Sequence, residues 1–151
     1  MKKKQEKFFF FTIKNVKNFK KVLRAGANLI TTTSQLLDVN KQPPNAMVNV
    51  AFSQTGLTAL NVTDNLGDPV FSGGQFADAA NLGDPGTDNW VGAFKGTNIH
   101  GVFLLASDST LLIDIEWAAV KLLFGSSISE VYTLSGNVRP GSEEGHERKC
   151  V

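Results

Sequence analysis

The chain has 151 residues, of which 42% are hydrophobic and 19% are charged. This composition predicts one globular domain with a core of ordinary size, and it excludes a disordered chain. The net charge is only +1, but residues 1–24 carry nine Lys or Arg and one Glu, so positive charge is concentrated at the start. No Arg-rich patch with interleaved aromatic residues accompanies this charge. We therefore interpret it as a solvated surface and expect neither a nucleic-acid nor a membrane partner.

The apolar run near the start is too short for a secretion signal. Residues 8–11 are four consecutive Phe, whereas the apolar core of a signal peptide needs roughly 7–15 residues. We therefore expect no signal peptide in this chain. The single cysteine, Cys150, cannot form an internal disulfide, so we expect an exposed free thiol that does not indicate a compartment.

The first third of the chain predicts two strands with a helix between them. Residues 8–13 are an unbroken aromatic and apolar run, which is typical of a buried strand. Residues 15–25 place apolar side chains at helical spacing between Lys and Arg, which predicts an amphipathic helix that Gly26 can close. Residues 47–52 predict a second strand, and Ser53 can then cap a short helix.

Residues 63–97 differ from the rest because they are rich in Gly, Asp, Asn and Pro, with the sequence NLGDP twice. We predict a long irregular loop that covers a site or a partner surface. Its aspartates raise the question of calcium, but the EF-hand pattern is absent and Gly-Asp-Pro is ordinary turn chemistry. We therefore expect no metal site at these aspartates, which are Asp64, Asp68, Asp78, Asp84 and Asp88.

The second half predicts a strand, a helix and a further strand. Residues 99–107 are a strongly apolar strand. A helix follows over residues 109–125, with Asp108 or Ser109 at its start and Gly125 at its end. Residues 128–134 alternate and form the fourth strand. The helical spacing predicts one apolar side made of Leu112, Ile115, Ala119, Leu122 and Leu123.

The predicted order of elements is β-α-β-β-α-β, which indicates an α+β, ferredoxin-like fold. Such a fold has an antiparallel sheet with its helices packed on one face. The opposite face of the sheet then needs a cover or a partner.

Isolated residues give only weak indications of chemistry. His100 precedes Gly101 at a strand start, where a structural hydrogen-bonding role is the simplest interpretation. A cluster of Glu and His near the end could bind a metal, but HExxH is absent and the cluster lies in one short segment, so we expect no metal there. These four residues are Glu143, Glu144, His146 and Glu147. No G-x-S-x-G, P-loop or dinucleotide-binding motif occurs.

Four longer stretches are distinctive in combination: AFSQTGLTAL, DNLGDPVFSGGQFADAANLGDPGTDNW, IHGVFLLASDS and FGSSISEVYTLSGNVRPGSEEGHE. With them the chain resembles the N-terminal part of fungal dye-decolorizing (DyP-type) haem peroxidases, from about Lys4 to Glu147. The resemblance implies two ferredoxin-like domains, with haem b held between helices and sheets. It also implies oxidation of dyes and phenolic compounds by hydrogen peroxide, and relatives that are often extracellular.

The resemblance further implies where the catalytic groups lie. In the family, an Asp in a G-x-x-D-G motif and a distal Arg promote O–O cleavage, and a His from the C-terminal domain ligates the iron. The motif follows GHE within a few residues in the family, but here Glu147 is followed by Arg148, Lys149, Cys150 and Val151. We therefore assign no catalytic residue to this chain, and give the ligand role to neither of its two histidines.

These departures predict a family domain over residues 1–147 with a divergent tail over residues 148–151. We expect a truncated N-terminal part that is inactive alone and does not stably bind haem. The alternative is a haem-free binding or interaction module that acts, or self-associates, through its exposed sheet face.

Overall fold

The computed structural model describes residues 4–38, 40, 42–64, 66–96, 98–138 and 147–149, the last three by their backbone alone. The strands among these residues are β1 (Gln5–Ile13), β2 (Met47–Phe52), β3 (Gly101–Ser107), β4 (Ile128–Val138) and β5 (Glu147–Lys149). The α-helices among them are α1 (Val16–Ala25), α2 (Thr33–Leu37), α3 (Gln54–Ala59), α4 (Pro69–Gly73), α5 (Gln75–Asp78) and α6 (Thr110–Phe124). None of these helices combines the length and the apolar composition needed to cross a bilayer.

The strands form one antiparallel sheet in the order β2-β3-β1-β4-β5. Strand β1 is central because it pairs with β3 on one side and β4 on the other, so that Phe9 lies beside both Phe103 and Thr133. The first four strands, with α1 and α6 between them, have the ferredoxin-like connectivity, which confirms the predicted fold class. Strand β5 adds to the sheet by pairing with residues 136–138.

Helix α1 begins and ends where its sequence indicates. The Asn15 side chain accepts a hydrogen bond from the backbone N–H of Asn18 at 2.9 Å, which satisfies one of the free N–H groups of the first turn. Gly26 closes the helix, with its N–H donating to the Val22 carbonyl. The buried residue of this helix is Phe19, and its Lys and Arg side chains point to solvent.

The core lies between the sheet and the helices α1 and α6. Side chains alternate across a strand, so the buried Phe9, Phe11 and Ile13 of β1 all face the helices. Phe9 stacks on Trp117 of α6 with ring centroids 4.1 Å apart. Phe11 packs against Phe19 of α1 at 5.8 Å. Each fully buried aromatic contributes about 1.5–3 kcal/mol, so these rings account for much of the favourable burial.

Our prediction of which side of α6 faces the core is wrong. The buried residues of this helix are Ile113, Trp117, Val120 and Phe124. Among the five predicted residues, Ile115 is 58% and Leu122 is 86% exposed. The error arises because α6 is apolar around most of its circumference, so helical spacing alone fits more than one face. The large rings of Trp117 and Phe124 decide the orientation, since they pack on Phe9 and Phe103.

Residues 63–97 contain more regular structure than the irregular loop that we predicted. They include α4, α5 and a 3₁₀ helix over Gly92–Phe94. Asp68 caps α4 by accepting from the N–H groups of Val70 and Phe71, and Pro69 occupies the first helical position. Aspartate and proline at these positions are typical of helix starts.

Candidate functional site

The sheet face opposite α1 and α6 is the first candidate surface. Phe8, Phe10 and Thr12 of β1 lie on this face because they alternate with the buried core residues. Val102 and Leu104 of β3 lie there for the same reason, and both are half-buried. This open sheet face therefore presents apolar and aromatic side chains away from the core.

An aromatic cluster fixes the segment 63–97 to the open sheet face. The Phe94 ring contacts Phe10 edge-on, with centroids 5.0 Å apart and an interplanar angle of 89°. It contacts Tyr132 of β4 at 5.3 Å and 73°. Such edge-to-face pairs add to the stabilisation that burial alone provides. Beside them, the Thr12 hydroxyl donates to the Asn98 carbonyl, so the returning chain is held at a second point.

A cavity of about 480 Å³ lies between this segment and the start of α3. Small-molecule sites in proteins usually have volumes of roughly 300–1,000 Å³ and mainly apolar walls. The apolar part of this wall includes Phe10, Phe71, Phe76, Leu82, Phe94 and Ile99. Because its size and lining are those of a ligand site, this cavity is the strongest candidate binding site among the described residues.

The polar side of the cavity lies where α3 begins. The Ser53 hydroxyl donates to the Ile99 carbonyl at 2.6 Å and accepts from the Gly56 N–H at 3.1 Å, so Ser53 is the N-cap of α3 as predicted. The Thr55 hydroxyl lies 3.1 Å from the same carbonyl and 2.9 Å from the Ser53 hydroxyl. Asp78, another wall residue, accepts from the Asn81 side chain at 2.7 Å.

His100 joins β1 to α3. Its Nδ1 accepts the backbone N–H of Ile13 at 3.1 Å, and its carbonyl accepts the N–H of Ser53 at 3.1 Å. Burial lowers the pKa of His100 below its usual value, and the nearby charge of Lys14 lowers it further. The neutral imidazole is therefore favoured, with its proton on Nε2 because Nδ1 is an acceptor.

The other predicted candidates do not come together with His100. Asp68 and Asp78 are held in the local hydrogen bonds described above. Among the residues that the structure describes, no group of three His, Cys, Asp or Glu could hold a metal ion. Glu143, Glu144, His146 and Cys150 lie outside the described residues, and Glu147 is described by its backbone alone.

Haem b, which the resemblance implies, does not fit the described residues. Haem needs an axial ligand such as a His nitrogen that faces a large cavity. His100 is not part of the cavity wall, and its Nδ1 is already used by Ile13. His100 is therefore not placed to serve as an axial ligand in this cavity.

The sequence alone did not predict the cavity. Its wall joins residues that are far apart in the chain, such as Phe10, Thr55 and Phe94. One signal was available, because the otherwise polar segment 63–97 contains the aromatic residues Phe71, Phe76, Trp90 and Phe94. Aromatic side chains in a Gly/Asp-rich segment need a surface to pack on, and here they line or support the cavity.

Comparisons with known proteins agree with the geometry. Residues 1–140 match the family described as the DyP dimeric alpha+beta barrel domain. Peroxidase 2 of Mycetinis scorodonius is 52% identical over 97% of this chain, and a dye-decolorizing peroxidase of Auricularia auricula-judae is 49% identical over the same share. The chain spans only 29% of the length of each of these relatives.

Solved structures of dye-decolorizing peroxidases are also similar to this chain. A dye-decolorizing peroxidase in complex with 2,6-dimethoxyphenol superposes with a TM-score of 0.90 and 48% identity. The match covers 97% of this chain and 33% of that one. The sequence match over residues 1–140 and the structural match together show that the chain belongs to the DyP dimeric alpha+beta barrel domain family.

Proposed function

We propose that this chain forms the N-terminal α+β part of a DyP-type haem peroxidase, which oxidises dyes and phenolic compounds with hydrogen peroxide. The observation that carries the proposal is the family match over residues 1–140. Two similar structures support it, since one is a dye-decolorizing peroxidase with 2,6-dimethoxyphenol and another has an engineered heme pocket.

In the proposed peroxidase, this chain would contribute the open sheet face as a surface on which a second sheet can pack. The open sheet face carries half-buried apolar side chains, and Phe94 packs on the part around Phe10 and Tyr132. We expect a second α+β sheet to cover this face, because the chain belongs to a family of dimeric alpha+beta barrel domains. Covering it would remove the remaining exposed parts of these apolar side chains from water.

The groups that act on peroxide lie, by the resemblance, in sequence beyond the matched residues. They are the Asp of G-x-x-D-G, the distal Arg and the proximal His. When bound in such a protein, haem supplies the oxidising chemistry. His100, the one histidine among the described residues, does not line the cavity, and its Nδ1 accepts the Ile13 N–H. We therefore propose that the chain alone has no peroxidase activity.

A chimera tests the proposed function. Residues 1–147 of this chain would replace the matching part of the Auricularia auricula-judae peroxidase, and haem content and peroxide-dependent dye oxidation would be measured. We expect a chimera that contains haem and whose kcat/KM lies within about tenfold of the parent value. The parent enzyme and its C-terminal part alone are the two controls. A well-folded chimera without haem or without turnover would reject the proposal.

The open sheet face also supports a second function, that of a haem-free interaction module. Val102 and Leu104 are half-buried on this face, and a second copy of the chain could cover them. Sedimentation velocity would then detect a dimer that Leu104→Lys weakens and Ile115→Lys, on the outer side of α6, does not. A monodisperse monomer at high concentration would exclude this function.

A further inference from the structure

We propose that Asn61 is an acceptor for an N-linked oligosaccharide, attached at the exposed turn that follows α3. Residues 61–63 read Asn-Val-Thr, which is an acceptor triplet for this modification, and no second Asn-x-Ser/Thr triplet occurs in the sequence. The proposal goes beyond the proposed function and does not rest on it, because neither haem nor turnover enters the argument.

The turn that carries the triplet is held in one conformation by backbone hydrogen bonds. The Asn61 N–H donates to the Thr58 carbonyl at 2.9 Å, and the Val62 N–H donates to the Leu57 carbonyl at 3.0 Å. Together with the positive φ of 54° at Asn61, these bonds form the Schellman motif, which commonly ends a helix. Val62 packs against the hydrophobic core, so the turn is also fixed from the inside.

The two side chains that the modification requires lie on the surface. Asn61 and Thr63 are exposed, and the half-buried Val62 lies between them. Within the described ranges, neither the Asn61 amide nor the Thr63 hydroxyl forms a hydrogen bond. Both groups are therefore accessible to an enzyme, and an oligosaccharide on Asn61 would extend into solvent.

The end of α3 explains the asparagine but not the threonine. Asparagine is common at positive φ after a helix, so the conformation at Asn61 accounts for that residue without any modification. Thr63 has no such role, because it caps neither α3 nor α4. The acceptor triplet accounts for both residues, since it requires Asn together with a hydroxyl side chain two residues later.

The reaction is a transfer from a lipid diphosphate-linked oligosaccharide. A bond forms between the Asn61 side-chain nitrogen and the anomeric carbon of the first sugar, and the bond between that carbon and the diphosphate oxygen breaks. The nitrogen loses one proton, the lipid diphosphate leaves, and no atom is oxidised or reduced. The product carries a bulky, hydrophilic group at a surface position.

The test directs the full chain into the endoplasmic reticulum of yeast by means of an added, cleavable leader, because the transfer takes place there. Chain recovered from the medium and from the cells would be analysed by peptide mass mapping, before and after treatment with peptide-N-glycosidase. We expect one oligosaccharide on Asn61 in most molecules. Asn89 is the internal control and should stay unmodified, because it is exposed but is followed two residues later by Val91. Recovered chain without an oligosaccharide at Asn61 would overturn the proposal.

Three variants separate the modification from the fold. Thr63→Ala should abolish the modification, whereas Thr63→Ser keeps the hydroxyl and should retain at least part of it. Asn61→Gly removes the acceptor nitrogen and suits the positive φ, so this variant should be unmodified and should still fold. An oligosaccharide that persists in Thr63→Ala, or that is lost completely in Thr63→Ser, would contradict the role of the triplet.

The folded domain should carry the oligosaccharide without loss of stability, because Asn61 is exposed and its side chain makes no hydrogen bond to the described residues. The unfolding temperature of the modified chain would be compared with that of the same chain after enzymatic release of the sugar. We expect the two temperatures to agree within about 3 °C. A modified chain that unfolds at a much lower temperature, or that occurs only in aggregates, would overturn the proposal.

Discussion

At the scale of single residues, the close packing of Gly56 against the backbone of His100 is open to test. A Cβ atom at Gly56 would lie 1.8 Å from the His100 carbonyl oxygen, which is far inside van der Waals contact. We expect Gly56→Ala to lower the free energy of unfolding by about 3 kcal/mol, because α3 must move away from the His100 carbonyl. Urea denaturation measures this loss.

Gly73→Ala is the matched control for that substitution. A Cβ atom at Gly73 meets no other atom within 4 Å, and the residue lies in α4. Alanine also has the higher helix propensity, so this variant should be neutral or stabilised by less than about 1 kcal/mol. Equal losses for the two variants would contradict the contact between Gly56 and His100.

The stability of the chain should depend on the protonation of His100. Its pKa is lowered in the folded state by burial and by Lys14, so the unfolded chain binds a proton more readily. The stabilisation that results from this difference in the His100 pKa is fully present above the unfolded pKa of about 6.5. It is lost as the pH falls from that value through the folded pKa, because the imidazolium cannot accept the Ile13 N–H.

His100→Gln provides the comparison for this pH dependence, since glutamine can accept the same hydrogen bond and does not titrate. Free energies of unfolding would be measured from about pH 7.5 to about pH 5, where a histidine changes charge. The native chain should lose more stability than the variant over this range. Parallel pH profiles would show that His100 does not contribute.

At the scale of elements, the orientation of α6 is the feature most open to test. Ile113 is fully buried and Ile115, two residues later, is 58% exposed, although both are isoleucines in the same helix. We expect Ile113→Ala to cost about 2–5 kcal/mol. Ile115→Ala should cost less than about 1 kcal/mol. Thermal or urea denaturation of the two variants measures these losses. A larger loss for Ile115→Ala than for Ile113→Ala would favour the orientation predicted from helical spacing.

The elements that the sequence predicted correctly are those with a clear local signal. Strand β1 follows from its unbroken apolar run, and α1 follows from its alternation of apolar and basic residues. The orientation of α6 could not be predicted in this way, because it depends on the stacking of Trp117 on Phe9, more than 100 residues away in the chain. The cavity has the same dependence on distant contacts, since Phe10 and Phe94 meet only in the folded chain.

At the scale of the whole molecule, the two faces of the sheet differ. The face that packs on the helices is buried, and the open sheet face is only half-buried. The helices α1 and α6 bury one side of the sheet in a continuous cluster of apolar residues. The open sheet face remains partly uncovered in the described structure, and the relatives continue for more than twice the length of this chain. A part with its own core can fold alone and still depend on a second part for its chemistry.

Titration of the purified chain with haemin, followed by an assay with peroxide and dye, tests the central claim most directly. If the chain is the N-terminal part of a peroxidase, haem uptake should be weak and should not saturate, and no dye should be oxidised. A sharp, saturable one-to-one shift of the Soret band with dye turnover would contradict the claim. In that case His100 and His146 would be the first residues to substitute in the search for an axial ligand.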